Sequence, residues 1–230
     1  MGGPWCRPGS FDARPYRAYT PWMATGPLIV FGVTFDPPHY AHLLAAECAR
    51  TQFRAKTVLF VIAGDPYHKR VESGAAFSSQ VAGRTGGVSP ARHRLAMLKR
   101  AIAANGGFAI DERELRRDGP SYTVDTLESL AGEPWAENGM VLLLGADSRA
   151  DFWRWRAPQR ILELATVAVV AKPGVARMPE PPLPHVDVAM PPLAISSSLV
   201  RARVAAGLPI RYLVPDGVAE YIADEGLYNG

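Results

Sequence analysis

Two histidines three residues apart, His39 and His42, stand between a continuous apolar run and a strongly helix-forming one. Residues 28–31 read as a buried strand, and residues 43–49, rich in Leu and Ala, read as a helix. Gly32 is expected to make the tight turn between them, and Pro37 and Pro38 fall where a first helical turn accepts proline. At this spacing the imidazoles share one face of the first turn. A helix N-terminus presents free N–H groups and partial positive charge, so two imidazoles added there make a receptor for phosphate oxygens. A second stretch offers related chemistry: Ile195, Ser196, Ser197 and Ser198 lead into a helix that carries Arg201 one turn in. Serines at a helix start often do no more than cap it. The guanidinium of Arg201 adds a fork that suits phosphate.

The rest of the chain must position these groups. Its 230 residues fit one domain with a full core. With 48% hydrophobic and 20% charged residues it has an ordinary globular composition. No apolar run reaches the length of a membrane span, so no membrane association is expected. The formal charge of +3 suits small anions as well as it suits nucleic acid. Cys6 and Cys48 are the only cysteines, which points to reduced thiols and a cytoplasmic location.

Residues 1–25 are rich in Pro, Gly, Arg and Trp without periodicity, and read as an irregular, disordered leader with Met23 as a plausible initiator. The alternative is a partner-binding arm built on Trp5, Tyr16, Tyr19 and Trp22. Residues 26–230 form the domain. A second strand is expected over residues 57–62, running into a turn that ends in His68, Lys69 and Arg70. Residues 71–89 look like a long loop. Ser89 and Pro90 then cap a helix that stops at Asn105, Gly106 and Gly107. A short strand at 108–110 leads to a charge run, residues 111–117, of the kind that usually forms a solvated turn. The hydroxyls of Ser121 and Thr123 are expected to cap a helix over residues 124–130. Residues 140–144 are the clearest buried strand and end at Gly145. A helix at 159–164, a strand at 167–170, an extended segment at 185–188 and two helices, opening at residues 196–198 and near Pro215, complete the chain.

Strands alternating with helices, most strands fully apolar, imply an α/β class: a single Rossmann-like domain whose mostly parallel sheet is covered by helices on both faces. The loops after Gly32, Ala63, Asp111 and Gly145 should gather at the carboxyl edge, where such sheets bind ligands. The G-x-G-x-x-G fingerprint is absent, which argues against a dehydrogenase.

Residues 32–42 resemble the G-G-T/S-F-D-P-x-H-x-G-H motif of the nucleotidylyltransferase superfamily, with Val33 and Ala41 where the pattern has glycine. Residues 195–201 resemble its I-S-S/T-T-x-x-R motif, with Ser198 in place of threonine. Two phosphate motifs in that order form a specific pair. Residues 111–115, 120–123, 145–148 and 154–156, the Pro66–Lys69 segment and the C-terminal residues 213–228 are similar to bacterial nicotinate-nucleotide adenylyltransferases.

What the resemblance implies is transfer of AMP from ATP to nicotinate mononucleotide, giving deamido-NAD and pyrophosphate in NAD biosynthesis. The ATP site would comprise Gly32, Thr34, Phe35, His39, His42, Gly145, Asp147, Ile195, Ser196, Ser197 and Arg201, with His39, His42 and Arg201 at the reacting phosphates. Lys69, Tyr122, Thr123 and Trp155 would hold the acceptor. Mg²⁺ would arrive with ATP. The partners are then ATP and nicotinate mononucleotide, with no nucleic acid or membrane, and a homo-oligomer is open. Other readings are a sister enzyme acting on nicotinamide mononucleotide or phosphopantetheine, a non-catalytic nucleotide-binding relative, and a hydrolase that uses the histidines as zinc ligands.

Overall fold

The computed structural model describes residues 26–64, 87–117, 119–170 and 181–229. The expected leader, the segment carrying Lys69 and most of the long loop lie outside the described residues. Six strands form one sheet: β1 (Leu28–Val33), β2 (Val58–Ile62), β3 (Phe108–Asp111), β4 (Met140–Gly145), β5 (Thr166–Val170) and β6 (Val186–Val188). Their order is β3-β2-β1-β4-β5-β6, and every neighbouring pair is parallel. This is the doubly wound order, with the reversal between β1 and β4.

Alternation along each strand feeds two cores. Leu28 and Val30 of β1, Leu59 and Val61 of β2, and Leu142 and Leu144 of β4 point to one face. There they meet Val124, Leu127 and Leu130 of α3 (Thr123–Ala131) and Ile161 of α5 (Pro158–Leu164). Ile29 and Phe31, Val58, Phe60 and Ile62, and Val141 and Leu143 point to the other. That face is covered by α1 (Tyr40–Gln52) and α2 (Ala91–Ile102). The buried stripe of α1 is Ala45, Ala46 and Ala49, whose small side chains let the helix lie close on the sheet. The expected two-sided sheet is therefore present.

A third cluster joins Met97 of α2 to Val200 of α6 (Ser197–Ala205), to Val218 and Ile222 of α7 (Asp216–Asp224), and to Tyr228. It seats the two C-terminal helices beside the carboxyl edge. A short helix, α4 (Ala146–Ala150), opens directly from β4. No described helix is long and apolar enough to cross a membrane.

Several local expectations are corrected. Gly32 lies inside β1, and the left-handed residue of the turn is Phe35, with φ of 53°. The prolines precede the helix: Pro37 follows a cis peptide bond after Asp36, and α1 starts at Tyr40 with His39 as its N-cap. The charge run is not simply solvated, because Asp111 and Glu114 are buried and residues 113–116 coil into a 3₁₀ turn. The residue before α3 is Tyr122, and no hydroxyl caps that helix.

Candidate active site

The two histidines meet at the start of α1. His39 is extended at the N-cap, with φ of −146° and ψ of 169°, and is buried, while His42 is half-buried one turn on. Their rings stack with centroids 3.7 Å apart and planes 19° from parallel. The backbone N–H of His39 donates to Nδ1 of His42 at 3.3 Å. With Nδ1 accepting, a neutral His42 carries its proton on Nε2, so that end of the ring is a donor. Phe35 packs against His42 at 5.3 Å between centroids and against Phe31 and Phe60, which fixes the ring from the core side.

Residues 196–201 dock onto the turn that leads to the histidines. Ser196 caps α6 by accepting the N–H of Leu199 at 3.2 Å. Ser197 Oγ donates to the carbonyl of Pro37 at 2.9 Å, and Arg201 Nη1 donates to the carbonyl of Asp36 at 2.7 Å. Arg201 Nη2 also reaches Ser198 Oγ at 3.3 Å. Residues about 160 apart in sequence thus share one corner, built from two helix N-termini. Ile195 packs at the margin of the third core cluster and holds the approach to α6.

Beneath this corner lies a network that pattern reading missed. Asp36 is buried, and its carboxylate accepts the N–H of Ser89 at 3.0 Å and the hydroxyl of Tyr228 at 2.6 Å. Arg94, only 2% exposed, donates to the carbonyls of Ser89 (2.9 Å), Thr34 (3.0 Å) and Ala63 (2.8 Å), with Gly64 at 3.4 Å. Burial pulls the Arg94 pKa below the usual guanidinium value, and the charge of Asp36 partly offsets that. Burial, then the Asp36 charge, raise the Tyr228 hydroxyl, so it is a fixed donor. Nothing in local sequence marks these partners. Ser89 had suggested a helix cap, but its backbone N–H and carbonyl serve the network and the N-cap of α2 is Pro90.

At the switch point, Gly32 and Gly145 sit at the carboxyl ends of adjacent strands β1 and β4. A Cβ added to Gly145 would meet no atom within 4 Å, and one on Gly32 would only graze Val61 at 4.0 Å. Both therefore border open space at the end of the sheet from which the chain leads to the histidines. Asp147 is exposed in the first turn of α4.

A second group gathers at the start of α3. Tyr122 is its N-cap and Thr123 its first residue. The Arg156 guanidinium lies 4.8 Å from the centroid of the Tyr122 ring and pairs with Asp125 at 3.7 Å. Its neighbour Trp155 packs on Phe152 at 5.5 Å, against the same core cluster as Tyr122. Ser121 Oγ accepts the N–H of Gly64 at 3.2 Å, tying this helix start to the end of β2. Gly64 is required there, since a Cβ would come within 2.2 Å of the Glu114 carbonyl. Lys69 lies outside the described residues.

The cytidylyltransferase-like family pattern matches residues 30–203, a span that opens in β1 and ends within α6. A relative from Thermomicrobium roseum, named probable nicotinate-nucleotide adenylyltransferase, is 41% identical over 208 residues, covering 87% of this chain and 90% of that one. The chain belongs to the nicotinate-nucleotide adenylyltransferase family. Another member, from Roseiflexus sp., is 42% identical and is covered in full by 90% of this chain. Among solved structures, the Plasmodium falciparum nicotinic acid mononucleotide adenylyltransferase complexed with APC superposes with a TM-score of 0.65. It shares 16% identity, over 88% of this chain and 97% of that one, and so speaks to the fold alone.

Proposed function

We propose that the protein transfers the adenylyl group of ATP to nicotinate mononucleotide, releasing pyrophosphate and forming deamido-NAD. The observation that carries this reading is the docking of Ser197 and Arg201 onto the Asp36–Pro37 carbonyls, which sets two helix N-termini and two imidazoles around one corner. Such a corner suits the triphosphate, whose negative charge rises on the departing pyrophosphate.

No protein nucleophile is needed. The attacking group is the acceptor's own phosphate, whose second pKa of about 6 leaves it largely dianionic at neutral pH. Two anions must be aligned, and the leaving charge absorbed, so catalysis is positioning and electrostatics. In this reading His42 Nε2–H donates to a phosphate oxygen and His39 holds His42 in register. Arg201 braces the loop with one nitrogen and offers its remaining N–H groups to the phosphates. Gly32, Thr34, Phe35, Gly145, Asp147, Ile195 and Ser196 shape the rest of the ATP site. Tyr122, Thr123 and Trp155 supply a flat aromatic wall and a helix start for the pyridine ring and its carboxylate, and Lys69, outside the described residues, is assigned to the same ligand on the family resemblance alone.

Mg²⁺ fits as an ion carried in on the triphosphate, held by phosphate oxygens and water and neutralising their charge. Among the described residues no group of three or more His, Cys, Asp or Glu could form a protein cage for it. The zinc-hydrolase alternative is disfavoured by geometry: stacked rings aim their nitrogens side by side rather than at one ion, and His42 Nδ1 is already engaged.

The test is pyrophosphate release from MgATP against a panel of acceptors: nicotinate mononucleotide, nicotinamide mononucleotide, phosphopantetheine and none. Release dependent on nicotinate mononucleotide is expected. Release driven best by another acceptor moves the protein to that sister activity, and no release with any acceptor leaves a nucleotide-binding relative.

A further inference from the structure

We propose that Tyr228, at the C-terminal end of the chain, is a positioning residue for the ATP phosphates, acting through Asp36. The proposal rests on reading the β1–α1 corner as the site of those phosphates. Asp36 stands three residues before His39 and is tied on every side. Its carboxylate takes the Tyr228 hydroxyl at 2.6 Å and the Ser89 N–H at 3.0 Å, and its carbonyl takes Arg201 Nη1 at 2.7 Å. The Tyr228 hydroxyl and the phosphate-facing arginine thus hold the same residue from opposite ends, one at its side chain and one at its backbone. If the carboxylate shifts, the carbonyl that seats Arg201 shifts with it, and so does the turn leading to the histidine pair.

Of the two carboxylate donors, Ser89 offers a backbone N–H, whereas Tyr228 offers a side-chain hydroxyl from a ring anchored in the third core cluster. Its hydroxyl lies 3.9 Å from Met97 Sδ, and the chain after α7 reverses through Gly226 (φ 59°) to aim the ring inward. Tyr228 itself is left-handed, with φ of 64°. That conformation is uncommon for a bulky aromatic residue, and such strain persists where the surroundings over-determine it. Arg94 cannot replace the hydroxyl, because its bonded nitrogens are committed to backbone carbonyls and it reaches Asp36 only through space. The Tyr228 hydroxyl bonds Asp36, which is not itself assigned to substrate. Its effect on turnover should pass wholly through the placement of the turn.

The test is Tyr228→Phe in the full chain, which keeps the ring in its cluster and removes only the hydroxyl. Misplacement of reacting groups by about 1 Å can cost roughly 10²-fold. Expected is a loss of about 10- to 100-fold in kcat/KM for MgATP, an unchanged acceptor KM, and a thermal midpoint within a few degrees of wild type. Tyr221→Phe is the control, because it deletes a hydroxyl bonded to His93 at 3.0 Å in the same region but outside the Asp36 network. It should leave MgATP kinetics unchanged. In an Asp36→Asn background, Tyr228→Phe should add little further loss. The proposal is overturned by wild-type MgATP kinetics in Tyr228→Phe, by equal losses in Tyr221→Phe, by additive losses with Asp36→Asn, or by failure of Tyr228→Phe to fold. If His42→Ala also retains full turnover, the phosphate-site reading falls instead.

Discussion

The ring of His42 lies face to face with that of His39, 3.7 Å between centroids, while its Nδ1 takes the His39 backbone N–H. One imidazole is thereby held by the other, with its remaining nitrogen directed away from the backbone. Under the proposed function the pair acts as one preorganised donor at the mouth of α1, and removing either ring is expected to unseat the other.

His42→Ala should therefore lower kcat by about 10²–10³-fold, the usual cost of losing one preorganised donor from a charge-stabilising site. Pyrophosphate release at saturating MgATP and acceptor measures it. The thermal midpoint should change little, because His42 is half-buried and the alanine core stripe of α1 is untouched. Turnover close to wild type would remove His42 from the phosphate site.

Arg94→Met should be costly in stability. It strips donors from the carbonyls of Thr34, Ala63 and Ser89 and leaves the buried Asp36 carboxylate without its nearby cation. Breaking a buried charge network by removing one partner costs about 3–5 kcal/mol. In a chain of this size that is roughly 6–20 °C in Tm. Thermal unfolding followed by circular dichroism decides it, and a midpoint within 2 °C or so of wild type would show that these carbonyls find other partners.

How much of this was legible follows from how far each contact reaches. The apolar strands and the two phosphate stretches could be read because each declares itself within ten residues or so, by periodicity or by a fixed pattern. Their convergence could be expected from the α/β alternation, since loops after parallel strands share an edge. Asp36, Arg94 and Tyr228 could not be read as partners. They are 58 or more residues apart in pairs, and each taken alone is an ordinary turn acid, helix arginine or C-terminal tyrosine. The turn at Phe35 was misplaced to Gly32 for a related reason. Glycine is the default left-handed residue, but here aromatic packing around Phe35 holds a left-handed phenylalanine, and Gly32 is free to continue the strand. The solvated turn expected for the charge run at residues 111–117 fails because Glu114 is bonded by Thr126 and Ser121, which arrive from the next helix and the residues just before it.

Glu114 also gives a pH prediction. Burial raises its pKa above the usual carboxylate range, although hydrogen bonds from Thr126 and Ser121 and the nearby charge of Arg117 pull the other way. The folded protein then takes up this proton at a higher pH than the unfolded chain does. Its contribution to stability therefore grows as pH falls through the raised value and levels off below the ordinary carboxylate pKa. Glu114→Gln removes that proton uptake. Relative to the variant, wild type should gain stability as the pH is lowered through the raised value towards the ordinary carboxylate pKa of 4.5. Parallel denaturant midpoints for the two proteins across that range would contradict it.

The last prediction concerns acceptor choice, where the start of α3 faces the Trp155 wall. A helix start offers N–H donors and positive potential, which suit a carboxylate that only accepts. Arg156, stacked over Tyr122 and paired to Asp125, adds a cation beside the same residues. If the carboxylate is exchanged for a carboxamide, one of its two acceptor positions becomes an NH₂ facing donors, and the negative charge is lost. Sites built around such a hydrogen bond reject the mismatched analogue by up to about 10⁴–10⁵-fold, because buried polar groups are left unpaired. Half-exposed donors give less, so a preference of about 10²-fold or more for nicotinate over nicotinamide mononucleotide is expected in kcat/KM. Stacking on Trp155 should not discriminate, since both rings are flat pyridiniums of similar size. Trp155→Ala should accordingly weaken both acceptors and leave their ratio within about threefold, because lost aromatic contact is common to the two. Arg156→Gln should instead narrow the ratio, since it removes charge and spares the stacking surface. The measurement is kcat/KM for each mononucleotide at saturating MgATP in the three proteins. A ratio that collapses in Trp155→Ala but holds in Arg156→Gln would place discrimination in the aromatic wall rather than in the helix start and its arginine.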